Sequence, residues 1–573
     1  MFSRNLPKQS DLLKATSNTA LVASGARRPG VEETIALHIM PMKQPVRSQR
    51  FLFDVTTNHG ESSMHVQAEK ARSANDLGKS DDRIVPLKRE DQSRRSKPGN
   101  AGAGKAVRPS RETDRTSTVL SDGSSVLTRL NRITHRAEAH PEESFNNLFS
   151  LLTYELLWHA FRKLKRDKAP GVDGETVDQY EMTLRDNLHD LLARLHRGSY
   201  RPQPSLRCDI PKGNGKTRPL GIACVEDKIV QRAIVTILER IYEVDFCETS
   251  YGFRPGRSCH QALSELGQII ATKKVSWISD ADIRGFFDNV CHTRLLELLR
   301  QRIADPKLLK LIERFLHAGV MIEGRREDTD AGVPQGSVLS PLLANVYLHY
   351  VLDQWFAHDV KPRLRGEAYI IRFADDFICA FELESDARRF QEVLPKRLDR
   401  YSLELAEEKT QLLRFGRFAE RDCQRLGEGA PSTFDFLGFT HYCGRSRLTN
   451  KFKLKRKTAK KKYRGKVRDM KDWLRRQLTT PLSEVWPILN AKLRGHYQYY
   501  GVNDNWPWLM KFRQATKVLV LRWLNRRSQK TSKTWTQFDA YMSRFPLALP
   551  KRLTDLIAMA RAPRQAMLSF GDK

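Results

Sequence analysis

The chain has 573 residues, enough for two or three packed domains, and its 40% hydrophobic and 29% charged composition is that of a globular protein, not a fibrous or membrane-embedded one. A net charge of +32 repels itself unless an anionic partner neutralises it, so a polyanion is expected. No stretch approaches the roughly 20 uninterrupted apolar residues of a membrane span. None of the eight cysteines stands in C-x-x-C spacing, so neither a zinc knuckle nor a disulfide framework is suggested, and scattered thiols fit a reducing compartment.

Residues 1–112 contain no Trp or Tyr, and Phe2, Phe51 and Phe53 are their only aromatics. With the linker-like stretch 93–105 they read as a poorly ordered basic extension. The first thirty residues, rich in Arg and Ser and poor in acids, bear a mild likeness to an organelle transit peptide, but their amphipathic periodicity is weak and a plain extension is preferred. A helical pattern begins near Pro141 and carries Leu148, Leu151, Leu152, Leu156, Ala160, Phe161 and Leu164 before it stops at Ala169-Pro170-Gly171. From there to about Phe439, short apolar runs alternate with helical patterns, which predicts α+β architecture. From Lys451 the pattern is mostly helical. Residues 451–573 hold 30 Lys+Arg against 7 Asp+Glu, so +23 of the net charge lies there and only +9 in the preceding 450 residues. Six of the nine tryptophans, Trp473, Trp486, Trp506, Trp508, Trp523 and Trp535, fall in the same segment, which predicts a folded module with a basic surface.

Two local signals carry chemistry. In the run from Tyr369 to Phe381, two β-rich stretches flank Ala374-Asp375-Asp376, which reads as a tight hairpin. Asp is a good turn former, and an isolated Asp-Asp pair needs no further account. Apolar strands on both sides bury the hairpin in a sheet and leave two adjacent carboxylates at its end, where bound cations would offset their repulsion. The second signal is Asp282, placed where the strand-like Val275-Ser276-Trp277-Ile278 ends. It supplies the third carboxylate that a pair of Mg²⁺ ions needs for an in-line phosphoryl displacement. Asp288, six residues on, reads instead as the cap of the helix around Leu295.

The ordered set of motifs resembles the reverse transcriptases encoded by group II introns, also called maturases. The matching blocks are Lys168-Ala169-Pro170-Gly171-Val172-Asp173-Gly174, Ile210-Pro211-Lys212 with the run 217–222, and Tyr251-Gly252-Phe253-Arg254-Pro255-Gly256-Arg257-Ser258. The runs 282–288, 332–337 with 339–341, 373–376, 408–410 and 436–439 follow in the same order. The likeness covers nearly the whole chain from about residue 115.

That resemblance implies a right-hand polymerase: fingers and palm over 113–445, a helical thumb/maturase domain over 446–550 and a tail over 551–573. It implies that Asp282, Asp375 and Asp376 are catalytic and hold two Mg²⁺ ions, with the backbone carbonyl of Ile283 a further ligand. Lys212 and Arg218 match residues that hold the incoming triphosphate. Gln335, with Gly336, matches the turn beside the templating base pair, and Phe287 the aromatic that excludes a ribose 2′-OH. Lys409 matches a primer-grip-side position. The run 489–502 resembles the maturase-specific motif, which makes Lys492, Arg494, His496 and Tyr497 candidates for RNA binding, by phosphate contact and base stacking. Packing inward is the competing reading for each of those aromatics. The implied function is RNA-directed DNA synthesis together with binding of the parent intron RNA to assist splicing and mobility. The implied partners are group II intron RNA, an RNA template with a DNA primer, dNTPs and target DNA, with no membrane; a homodimer is admitted. A cytoplasmic, bacterial-type location is implied, with organellar import left open. The run to the C-terminus holds no paired cysteines, so a DNA-cutting domain is not expected. Two rivals are a splicing factor with a vestigial polymerase site and a reverse transcriptase adopted for host use. The intact carboxylates argue against the first and the 489–502 motif against the second.

Overall fold

The computed structural model describes residues 122–211, 217–528, 531–551 and 553–561. The expected extension 1–112, the greater part of the tail 551–573 and Lys212 lie outside the described residues.

Where the sequence reads as a single helical run from Pro141, the chain is non-helical to Leu148, makes one 3-10 turn at Phe149–Leu151 and forms a helix only from Tyr154. Helix Asp122–Ala139 ends before Pro141, and helix Tyr154–Arg162 starts after Thr153, whose Oγ1 accepts from Leu156 N at 3.4 Å. A cap residue takes extended backbone, so it interrupts the run. Leu148 and Leu152 keep their burial, at 2% and 0% exposure, without being helical.

In chain order the strands are β1 (Ser205–Pro211), β2 (Thr217–Ile222), β3 (Trp277–Ala281), β4 (Val320–Ile322), β5 (Arg325–Glu327), β6 (Ala368–Phe373), β7 (Asp376–Phe381), β8 (Gln411–Arg414), β9 (Phe434–Phe436), β10 (Phe439–Arg445) and β11 (Phe452–Thr458). They form three sheets, ordered β2-β1-β4-β5, β6-β7-β3-β8 and β11-β10-β9. In the central sheet β6, β7, β3 and β8 are antiparallel neighbours. Both of its faces are covered, which is why its strands read as nearly continuous apolar runs. Trp277, Ala281, Phe377, Cys379 and Phe381 pack into one core with helix Glu384–Asp399 and helix Val225–Asp245. Ile278, Ile371, Ile378 and Ala380 pack on the opposite side with Phe415, Phe434, Phe436 and Phe439.

The sequence motif Phe436-Leu437-Gly438-Phe439 is the two-residue turn between β9 and β10. Leu437 and Gly438 have φ of 47° and 80°, the pattern of a type I′ turn that matches strand twist. Its tip meets the helical part of the chain: Tyr499 Oη donates to Leu437 O at 3.0 Å. The hairpin β10–β11 carries strand structure past residue 446, where the sequence suggests mostly helix; the first helix of that part is Lys460–Arg476. Leu482–Tyr500, Trp506–Arg527, Trp535–Arg544 and Leu556–Arg561 follow. The last returns to the central region, where Ser264 Oγ donates to Leu556 O at 2.6 Å. Among the described residues no helix is long and apolar enough to cross a membrane.

Candidate active site

The three expected acidic residues lie at one end of the central sheet. β3 and β7 pair through Ala281↔Phe377, so Asp282 and Asp376 occupy the next register position on adjacent strands. Ala374 and Asp375 form the turn between β6 and β7, closed by the pair Phe373↔Asp376. Ala374 has a φ of 57°, a left-handed backbone that side-chain-bearing residues seldom adopt. The turn is held against Gly252: a Cβ there would lie 2.2 Å from Ala374 N. Asp376 is exposed and Asp375 half-buried. Asp282 is also half-buried, and the Lys409 ammonium forms an ion pair with its Oδ2.

Hydrogen bonds beyond β3 fix the next residues. Ala406 N donates to Asp282 O at 2.8 Å and Arg284 N to Glu404 O at 2.8 Å. These bonds flank the bridge Ile283↔Leu405, so the peptide groups of Ile283 itself are turned away from residues 404–406. Asp280, two register positions inside Asp282 and on the same face of β3, is a fourth carboxyl near the group. Burial, then the negative charge of Asp376 and Asp282, pushes it up to about 7.

Among the described residues no three His, Cys, Asp or Glu side chains come together closely enough to hold a metal ion by themselves. The donor set is nevertheless of the kind a hard divalent ion takes. Mg²⁺ is commonly held by one or two carboxylates, with substrate phosphates and waters completing the octahedron. Asp282 and the pair Asp375-Asp376 would have to take an ion in that open form, with substrate and water oxygens completing its shell, and a backbone carbonyl at Ile283 would be a further oxygen donor.

A second group of residues lies beside the carboxylates. Phe286 is core, 2% exposed and packed on Tyr347, whereas Phe287 is half-buried. Val333 N donates to Phe287 O at 2.7 Å, and Gly332 leaves no room for a Cβ, which would lie 2.9 Å from Asp288 O. This ties the loop 332–337 to the short helix Phe286–Asn289. Gln335 Nε2 donates to Asp288 Oδ1 at 3.1 Å, and Gln335 O accepts from Gly221 N of β2 at 2.7 Å. Gln335 therefore joins β2 of the first sheet to the short helix that follows β3. Asp288 is not the helix cap the sequence suggests; Cys291 precedes helix His292–Arg300, and Asp288 is used to hold Gln335. Arg218, on β2, has a buried Nε to which no described residue offers an acceptor. Lys212, expected beside it, lies outside the described residues.

The candidates in the helical part divide. Helix Leu482–Tyr500 leaves Arg494 exposed, at the edge of a 630 Å³ groove lined by Trp486, Tyr541 and Phe545. Lys492 is half-buried, with its ammonium 5.3 Å from the centre of the Trp473 ring. His496 and Tyr497 are only 8% and 6% exposed, which corrects the expectation that they stack on RNA bases. His496 lies on Phe512 at 3.8 Å, and Tyr497 Oη donates to Ala548 O at 3.2 Å. These rings fill the helical core, and an unpaired base has no access to their faces.

Sequence reasoning passed over Asp280, Arg372, Asp353 and Asn345, and gave Gly252 no place beside the turn. The available signal was Arg372, a lone charge inside the apolar strand β6.

Residues 210–441 match the family described as reverse transcriptase (RNA-dependent DNA polymerase). The chain is 33% identical over 321 residues to "Group II intron-encoded protein LtrA" of Lactococcus lactis subsp. cremoris, a match that covers 52% of this chain and 53% of the relative. It is 35% identical over 278 residues to "Protein YkfC" of Escherichia coli, covering 42% of this chain and 72% of that protein. It is also 35% identical over 250 residues to an "Uncharacterized 91 kDa protein in cob intron" of Schizosaccharomyces pombe, covering 43% and 30%. The match thus spans about half the length of LtrA.

Proposed function

Since the chain belongs to the group II intron-encoded reverse transcriptases, we propose that it is an RNA-directed DNA polymerase whose primer 3′-OH attacks the α-phosphorus of a dNTP on an RNA template. The observation that carries this reading is the placement of Asp282 and Asp376 at one register position of β3 and β7, with Asp375 in the turn between β6 and β7. In this reading the first and central sheets are fingers and palm, and the helices from Lys460 onward are the thumb.

Two Mg²⁺ ions bound to this site would stabilise the attacking and leaving oxygens of the displacement. Asp282, Asp375 and Asp376 would hold them, with the Ile283 carbonyl beside them. Lys409 offsets part of the negative charge on Asp282. Arg218 and Lys212 meet the triphosphate, the first as a fork and the second as a point charge. Phe287 presents its partly exposed ring to the sugar and excludes a 2′-OH. Gln335, steadied by Asp288 and Gly221, lines the position of the templating base pair. The test is extension of a DNA primer on an RNA template. Asp282→Asn and Asp375→Asn should each lose about a hundredfold or more, because ligation by the carboxylate supplies several kcal/mol of transition-state stabilisation. Activity within tenfold of wild type would remove the assignment.

A second role is carried by a separate observation. Helix Lys460–Arg476 buries Met470 and Leu474 and exposes Lys461, Lys462, Arg464, Arg468, Lys471 and Arg475. This basic face, with Arg494 and Lys492, is read as the surface that binds intron RNA and assists its splicing. A target-DNA step in mobility belongs to the same proposal. RNA affinity should fall with a log–log salt slope of about −0.7 to −0.9 per phosphate contact. Replacing Lys492 and Arg494 by Ala should lower that slope by up to about 2 while largely sparing extension on a simple primer–template. An unchanged slope in the double variant would show that neither cation contacts the RNA.

A further inference from the structure

The turn that carries Asp375 rests on a charge pair with no access to solvent. Arg372, on β6, is fully buried at 0% exposure, and Asp353 is 1% exposed. Arg372 Nε donates to Asp353 Oδ1 at 2.8 Å and Nη2 donates to Asp353 Oδ2, a bidentate arrangement. The third nitrogen does different work. Arg372 Nη1 donates to the backbone oxygen of Ala374 at 3.1 Å and to Asn345 Oδ1 at 3.0 Å. Asn345, itself 1% exposed, donates through Nδ2 to Gly252 O at 2.7 Å. The main chain of Arg372 closes the loop: its N donates to Thr249 O and its O accepts from Tyr251 N, both at 2.9 Å. One guanidinium thus grips the turn directly and, through Asn345, the segment 249–252 that is wedged against it.

Two features say this is more than packing. A buried ion pair is a poor source of stability, since an apolar pair of similar volume is often as good or better. Its persistence in a core of Phe377, Cys379 and Ile370 therefore calls for another use. The acid partner also sits on unusual backbone: helix Ser340–Leu348, which carries Asn345, widens into π-helical structure over His349–Val360, which carries Asp353. Such wide turns are rare and tend to occur at functional sites. Above the pair, Ala374 is held in a left-handed conformation that persists only when its surroundings over-determine it.

We propose that Arg372, Asp353 and Asn345 form a buried clasp that fixes the Ala374 carbonyl and thereby sets the direction in which Asp375 presents its carboxylate to a catalytic metal ion. These are positioning residues, and the inference rests on the polymerase reading given above. The clasp predicts that metal binding and turnover depend on a pair that touches neither substrate nor ion.

The decisive comparison is made on the full chain with Arg372→Met/Asp353→Leu, which removes both charges together, and with Arg372→Lys and Asn345→Ala. Four quantities are read: the thermal midpoint, affinity for a primer–template, kcat and KM for dNTP, and Mn²⁺ binding to the primer–template complex by electron paramagnetic resonance. The double variant should fold, bind primer–template as wild type does and keep its KM, while kcat falls by about a hundredfold, as for a misplacement of about 1 Å. Mn²⁺ binding should weaken in parallel. Arg372→Lys should fail to rescue, because one ammonium cannot replace the fork. A folded double variant with kcat and Mn²⁺ binding within threefold of wild type would overturn the proposal. If the double variant does not fold, Asn345→Ala decides, since it removes both Asn345 bonds, from Arg372 and to Gly252, while leaving the ion pair: a fall in kcat and Mn²⁺ binding at unchanged KM supports the clasp, and unchanged values overturn it. Full activity of Asp375→Asn would instead show that the polymerase reading has failed.

Discussion

Lys409 and Asp282 stand 127 residues apart in the chain and meet as an ion pair at the end of β3. The ammonium is 60% exposed and the carboxylate 27% exposed, so solvent screens the pair and it is worth no more than about 1 kcal/mol. Its interest lies in competition: a metal ion on Asp282 has to share the carboxylate with a cation already there. Lys409→Met should lower the Mg²⁺ concentration for half-maximal primer extension by about two- to fivefold, the range that about 1 kcal/mol allows. A Mg²⁺ titration of both proteins checks this. A higher requirement in the variant would mean that Lys409 orients the carboxylate for the ion.

Gly252 offers a sharper steric test of the same end of the sheet. Its missing Cβ is the space in which Ala374 N sits, at 2.2 Å. Gly252→Ala should displace the Asp375 turn and reduce extension by about a hundredfold, with primer–template binding retained. Gly465, inside helix Lys460–Arg476 with nothing within 4 Å of its would-be Cβ, is the contrasting case. Gly465→Ala should leave extension unchanged and raise stability by about 0.5–1 kcal/mol, read as an increase in thermal midpoint.

The adjacent rings of Phe286 and Phe287 should separate cleanly by mutation. Phe287→Val opens space beside the sugar, and ribonucleotide incorporation relative to deoxyribonucleotide should rise by about tenfold or more. Phe286→Ala empties a core position that is 2% exposed and should cost about 3–5 kcal/mol of stability. Incorporation ratios and denaturant midpoints for both variants settle which ring faces the nucleotide. Relaxed sugar choice in Phe286→Ala alone would reverse the assignment.

Acid sensitivity follows from histidines buried in neutral form. Burial pushes His496 down to about 3, with Lys466 adding to the effect, and pushes His349 down to about 4. Each takes up its proton on unfolding at any pH between its folded value and the ordinary 6.5. The stability they lend is therefore whole above pH 6.5 and is lost as the pH falls toward 3–4. At pH 5 the cost from His496 alone is about 2 kcal/mol. His496→Leu, close in volume, should narrow the gap in thermal midpoint between pH 8 and pH 5. An equal gap in both proteins would show that His496 is already protonated in the folded state.

Much of the chemistry was legible in the residues themselves. Apolar runs on both sides of Ala374-Asp375-Asp376, and the strand-like run before Asp282, mark strand ends carrying carboxylates, because burial on both sheet faces writes an apolar pattern directly into neighbouring positions. The turn at Leu437-Gly438 and the concentration of positive charge after Lys451 are local in the same way. Burial around a helix is different, because it depends on which elements arrive to cover each face. Arg494 stays exposed while His496 and Tyr497, two and three residues on, are covered by Phe512 and by the segment at Ala548. Partners distant in sequence were equally illegible. Lys409 with Asp282, Asp288 with Gln335, and Arg372 with Asp353, Asn345 and Gly252 are brought together only by packing. An ion pair or hydrogen bond needs its atoms within about 3 Å, and no pattern along the chain specifies that approach between elements that fold past one another. The sequence by itself determined which residues could do the chemistry; the tertiary structure decided which of them are held in place, by what, and which are core.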